Sequence, residues 1–210
     1  MENLLHLGPL YALAVFAIII TFDRFYVLYL KTGMSNSDAF FIQIKELVLK
    51  NKIAEALELA KFNSKTPYGF ISVKALERAG QPEENVKQAL ELAYMEISET
   101  YSKRTNFLSM IANVSTLVGL FGTVLGLVQS FRALGNAAAS QKSALLAAGI
   151  STAMNATLIG LGIAIPSMVL YSVFASKGNK INSDIEKSCA KILDLLNQRM
   201  LSITSQGMNK

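Results

Sequence analysis

The chain has 210 residues, 51% of them hydrophobic, and carries 20 Lys and Arg against 15 Asp and Glu, a net charge of +5. The charges do not spread as on a soluble domain: none lies between Thr105 and Phe131 or between Ser143 and Ser176, and only His6 titrates between Asn3 and Phe22. The single cysteine, Cys189, excludes a disulfide within the chain and is expected to be a free buried thiol; with no nucleophile, metal-ligand cluster or phosphate loop in view, no catalytic residue, metal site or cofactor is expected.

The uncharged runs hold 20, 27 and 34 residues. As helices they reach about 30, 40 and 50 Å against a hydrocarbon core of about 30 Å, so each can cross a bilayer and the second and third should project beyond it. Counting positive charges by segment gives eleven from Lys31 to Arg104 and six from Lys177 onward, but none before the first helix and only the flanking Arg132 and Lys142 around the loop between the second and third. The positive-inside rule then predicts an N-terminus outside and a C-terminus in the cytoplasm. The middle segment sets ten acids against its eleven bases, which argues for an ordinary solvated helical surface and against nucleic-acid binding.

The first transmembrane helix is expected over 1–30. Its start carries Glu2 and no Lys or Arg, and no small-residue cleavage site precedes Asp23, so it reads as a retained anchor. Its inner end, Asp23-Arg24-Phe25-Tyr26, reads as a membrane interface, with an Asp23–Arg24 pair favoured over an ion-carrying role for Asp23.

A helical cytoplasmic domain is expected over 31–103. It opens with a polar loop, Thr32 to Asp38, and continues with apolar residues at three- and four-residue spacing: Phe40, Phe41, Ile44, Leu47 and Val48, then Ile53, Ala56, Leu57 and Ala60. Thr66-Pro67 and Gln81-Pro82-Glu83-Glu84 read as helix starts and Ala79-Gly80 as a helix end. With no further proline from Pro82 to about Leu134, one long helix is predicted over that stretch, its membrane part over 104–135.

The outer turn is expected over 136–142, the third transmembrane helix over 143–177 and a cytoplasmic C-terminal helix over 178–210, with a bend at Gly178. No strand pattern or repeat appears, so the fold class is an all-α membrane protein.

Within the second membrane helix Ala112, Ser115, Gly119, Gly122 and Gly126 share one stripe, and the Gly122–Gly126 spacing lets two backbones approach. A neighbouring stripe holds Asn113, Thr116 and Thr123, whose polar groups need either partners or a wet cavity. The third helix carries Gly149, Ala153, Thr157, Gly160 and Ala164 on one face, with Thr152 and Asn155 turned away from it. Pro166 frees a carbonyl near Gly162, consistent with a bend, a water site or a plain packing kink. Neither helix has an acid or base in its membrane part, so proton coupling needs a carboxylate from another chain.

Leu117 to Leu127 with Ser130-Phe131 resembles the second helix of the MotA/TolQ/ExbB proton channel family, and Gly149 to Leu161 with Ala164-Ile165-Pro166 resembles its third. Asp23-Arg24, Ser64 to Pro67 and Ala75 to Gly80 extend the likeness over nearly the whole chain, and three membrane helices favour the ExbB/TolQ branch.

The resemblance implies a homopentamer in the bacterial inner membrane, enclosing a dimer of a single-helix ExbD/TolR-like subunit that supplies a membrane aspartate, and acting on a TonB/TolA-like envelope-spanning protein. It assigns Thr123 and Thr157 to the pore face; Thr152, Asn155 and Thr116, from the polar faces of the two helices, are the further path candidates. Gly119, Gly122, Gly126, Gly160 and Pro166 become packing positions. Thr152 stands where the family typically has glutamate, and Ser115-Thr116 where proline is common, which leaves proton and sodium open as the driving ion. The expected function is that of a channel-forming subunit coupling ion flow to mechanical work; the alternatives are a sodium-driven or gliding-type motor and a non-conducting scaffold.

Overall fold

A computed structural model describes residues 2–30, 37–135, 138 and 140–208 of the chain. The described residues are helical with short connections: α1 (Glu2–Phe25), a π-helical segment (Tyr26–Leu30), α2 (Ser37–Leu49), α3 (Ile53–Phe62), α4 (Pro67–Leu76), α5 (Glu83–Ser102), α6 (Thr105–Leu134) and α7 (Lys142–Met208). Most of the expected loop after Lys31, and Asn136, Ala137 and Ala139 of the expected outer turn, lie outside the described residues. The chain divides into two compact units, one holding the residues up to Phe25 with Arg104–Ala175, the other Tyr26–Lys103 with the residues from Ser176 onward.

The first unit is a three-helix assembly of α1, α6 and the first half of α7. Leu10, Ala17 and Ile20 of α1 are buried, as are Leu108, Ile111 and Ala112 of α6, on which α1 packs. Phe16 and Phe107 meet edge to face at 6.2 Å. The outward faces are apolar: Phe22 is 72% exposed, Leu117 64% and Leu158 70%, far more apolar surface than a water-soluble monomer shows. Three helical stretches, Gly8–Leu30, Glu83–Leu134 and Lys142–Ser202, are long and apolar enough to cross a membrane. The all-α plan with three membrane-spanning helices is thus what the structure shows.

The second unit folds by the predicted periodicity. Phe40, Ile44 and Val48 of α2 and Ala56 and Ala60 of α3 are buried, and Phe40 stacks at 4.8 Å on Tyr68 of α4. Thr66 caps α4 by accepting from the Gly69 amide at 3.3 Å with Pro67 in the first turn, and Pro82 stands at the N-cap of α5 ahead of Glu83 and Glu84. The later part of α7 closes this unit with buried Ile181, Ile185 and Ile192. Its polar edges reach back to other helices: Glu186 accepts from the Tyr94 hydroxyl at 2.8 Å, Lys191 pairs with Asp38 at 3.2 Å, and the Arg199 guanidinium donates twice to Asn51 Oδ1 at 3.0 and 2.8 Å. Asn51 holds a left-handed φ of 59°, a conformation asparagine tolerates better than most residues, and so turns α2 into α3.

Two features differ from the sequence reading. The helix predicted from Pro82 to Leu134 is broken at Lys103 and Arg104, where Lys103 is extended (ψ 139°) and Arg104 takes a left-handed φ of 66°. No glycine or proline marks this break; the Arg104 guanidinium is tied instead to Asp23 of α1, at 3.5 Å. At Gly178, the position of the expected bend, α7 is helical on both sides. A Cβ there would meet the Tyr101 carbonyl oxygen at 3.5 Å, so this glycine lies beside α5 and does not end a helix. Cys189, expected to be buried, is half-buried.

Gly69 stands against the Asn63 backbone so tightly that a Cβ would overlap the Asn63 carbonyl. Gly69→Ala should therefore destabilise the protein by about 1–3 kcal/mol through overpacking against backbone. Gly178→Ala, meeting only ordinary contact, should leave the melting temperature in detergent unchanged or slightly raised, since alanine is the better helix former. Equal melting temperatures for the two variants would contradict this packing.

Candidate functional site

The site is built on an antiparallel ladder of small residues between α6 and the first half of α7. A Cβ on Gly122 would come within 2.7 Å of the Ala156 Cβ, and one on Gly126 within 2.7 Å of the Ala153 Cβ. At one end a Cβ on Gly149 would overlap the Ser130 side chain; at the other a Cβ on Gly160 would lie 2.6 Å from the Ser115 carbonyl oxygen and 3.0 Å from the Gly119 Cα. Four glycines therefore have no room for a methyl group, and the backbones touch in a way that larger residues forbid.

This close approach brings three oxygen atoms together. Thr123 Oγ1 and Thr157 Oγ1 are 2.7 Å apart, and each lies within hydrogen-bond distance of the Gly119 carbonyl oxygen, Thr123 at 3.1 Å and Thr157 at 3.0 Å. Both threonines are half-buried and line a groove of ≈ 1030 Å³ along the two helices. The rest of its lining is mainly apolar, including Leu120, Val124, Met154 and Leu158, with Ser151 and Asn155 the other polar side chains. In apolar surroundings such groups concentrate whatever polar chemistry the membrane helices can offer.

The five predicted path residues do not all meet here. Thr123, Thr157 and Asn155 line the groove. Thr116 and Thr152 are exposed outside it, each donating its hydroxyl to the carbonyl four residues earlier, Ala112 at 3.0 Å and Ala148 at 2.9 Å. Ser151 was missed by sequence reasoning, although its spacing of four from Asn155 places both on one face of a helix. The Gly119 carbonyl was also missed, because backbone acceptors leave no mark in sequence. Pro166 lies within α7, and the Ser167 hydroxyl bonds the Ile163 carbonyl at 2.7 Å.

Away from the groove, Asp23 is clamped by two arginines. Arg24, 3% exposed, donates to Asp23 Oδ2 from Nε at 3.0 Å and from Nη2 at 2.8 Å, while Arg104 approaches Oδ1 at 3.5 Å. The pairing expected of Asp23 and Arg24 is present, and Arg104 is an additional partner. Two N–H groups of a buried guanidinium converging on one carboxylate oxygen, with Arg104 at the other oxygen, tie the end of α1 to the start of α6.

A model of the MotA/TolQ/ExbB proton channel family matches residues 44–187. Among curated proteins, the Tol-Pal system protein TolQ of Haemophilus influenzae is 38% identical over 97 residues, 46% of this chain and 42% of that protein. The biopolymer transport protein ExbB of Salmonella typhimurium is 30% identical over 136 residues, 63% of this chain and 55% of that protein. The matched region thus spans about half the length of these relatives. A solved structure of C. jejuni MotAB shares the fold with a TM-score of 0.61 at 20% identity, over 95% of this chain and 77% of that one.

Gly160 and Gly162 separate close packing from helix propensity. Gly160→Ala should lower the melting temperature, by about 1–3 kcal/mol of destabilisation. Gly162→Ala, whose Cβ would meet nothing within 4 Å, should not. A Gly160→Ala variant as stable as Gly162→Ala would show that the two backbones do not touch as described.

Proposed function

Because this chain belongs to the MotA/TolQ/ExbB proton channel family, we propose that it is the channel-forming subunit of an ion-motive-force-driven membrane motor, with the proton as its ion. The single observation that carries this reading is the Thr123–Thr157–Gly119 oxygen cluster on a mainly apolar membrane groove. An inter-helix hydroxyl pair can serve packing, but one that faces a groove also offers its oxygens to whatever enters. A path for an ion uses them, because hydroxyl and carbonyl oxygens replace part of its hydration shell.

The cluster contains no group that titrates near neutrality, and neither 105–131 nor 143–176 supplies one. The working complex therefore includes a partner subunit whose single membrane helix brings a carboxylate to the groove, two such helices being enclosed by five copies of this chain. The apolar outward faces of α6 and α7, with Leu120 56% and Leu158 70% exposed, support helix neighbours on that side. The N-terminus is outside and the C-terminus in the cytoplasm of a bacterial inner membrane, a reading the distribution of Lys and Arg supports. Proton flow past the threonine pair, carried by the partner's carboxylate, drives movement of the partner, which transmits force into the envelope through a TonB/TolA-like protein.

Sodium is the second reading, favoured by the same triangle: three oxygens separated by 2.7, 3.0 and 3.1 Å can share one cation with a carboxylate. Proteoliposomes holding the complex with its partner decide between the two ions when a proton or a sodium gradient is imposed separately. Thr157→Val keeps the side-chain shape and removes the hydroxyl. It should assemble normally and lose partner-dependent flux by about tenfold or more, the scale expected when a buried hydrogen-bonding group is deleted. An assembled Thr157→Val complex with full flux would sink the proposed path and leave the scaffold reading.

A further inference from the structure

Two hydroxyl hydrogens serve three short contacts in the Thr123–Thr157–Gly119 triangle. If both hydroxyls pointed at the carbonyl, the 2.7 Å Thr–Thr contact would oppose two oxygen lone pairs with no hydrogen between them, which is repulsive. The stable arrangements therefore send one hydroxyl to the Gly119 oxygen and the other to the neighbouring threonine. Either way both hydrogens are used inside the triangle, and only lone pairs remain to face the groove.

We infer that the Gly119 carbonyl is a positioning group of the ion path: by committing the threonine hydrogens it makes the pair an acceptor-only site, open to a cation or an O–H donor and closed to anions. This rests on the reading of the groove as an ion path. It gives Gly119 and Gly160 a role beyond packing, since the contact at which a Gly160 Cβ would reach the Gly119 Cα at 3.0 Å is also what lets Thr157 of one helix reach a carbonyl of the other.

The polarity has a consequence for a partner carboxyl entering the groove. An acceptor-only site takes a hydrogen bond from the protonated acid and offers nothing to the carboxylate, which favours the protonated form. No competing charge alters this sign, because the stretches 105–131 of α6 and 143–176 of α7 contain no Asp, Glu, His, Lys or Arg, and neither does 8–22 of α1, the helix packed on α6. Weakening the Gly119 acceptor releases a hydroxyl to donate to the carboxylate. The acid then holds its proton less tightly, so the pH midpoint of transport moves down.

The test replaces Leu120 with its α-hydroxy analogue, which turns the Gly119 carbonyl into an ester carbonyl, a weaker acceptor, without touching a side chain. The same replacement at Val118 is the control, removing one helical N–H and weakening the Leu117 carbonyl instead. Both are measured with Thr157→Val in the complex with its partner, reading proton flux against pH. The inference expects the Leu120 ester to lower flux about tenfold and to shift its pH midpoint downward, with the Val118 ester close to the parent. A Leu120 ester with the flux and pH profile of the Val118 ester, alongside a dead Thr157→Val, overturns the positioning role and leaves the ion path standing. Full flux in Thr157→Val overturns both.

Discussion

Where α6 meets α7 at Gly119 and Gly160, the two backbones touch: Gly160 has no space for a methyl group, and one on Gly119 would press on the α7 backbone at 3.1–3.2 Å. Lipid tails are as apolar as leucine, so membrane helices gain nothing by hiding apolar surface from each other, and close packing has to hold them. An interhelical hydrogen bond within a bilayer is worth about 0.6–2 kcal/mol, too little to define a helix pair alone. The ladder from Ser115 and Gly160 to Ser130 and Gly149 supplies the packing, and the short oxygen contacts are what that packing makes geometrically available.

Most hydroxyls in the membrane helices are accommodated without this contact. Thr116, Thr152, Ser130 and Ser167 each satisfy their hydroxyl on a carbonyl four residues earlier in their own helix, a local solution that needs no neighbour. Thr157, unlike these four, reaches the carbonyl of another helix. That difference separates a tolerated hydroxyl from one held in place for use, and it is why the groove beside Thr157 and Thr123 is read as the path.

Much of this was legible in the residues. Charge-free runs gave the membrane helices, the glycine spacing gave the contact face of α6, and three- and four-residue periodicity gave the buried faces of α2 and α3. What escaped lay in tertiary geometry. Arg104 leaves helical geometry without glycine or proline, and its guanidinium is held by Asp23, 81 residues earlier in the chain. Five polar residues were candidates for one path, but helical period fixes angle and not depth: Thr116 shares a stripe with Thr123 yet lies two turns from it, outside the groove.

The central claim is that Thr123 and Thr157 act as one unit, closed by the Gly119 carbonyl. A double-mutant cycle with Thr123→Val and Thr157→Val, read as partner-dependent proton flux, measures that coupling directly. If the triangle is a unit, each single variant loses most of the flux and the double variant is no slower than the slower single one. Losses that multiply would show two hydroxyls acting independently and would contradict the account.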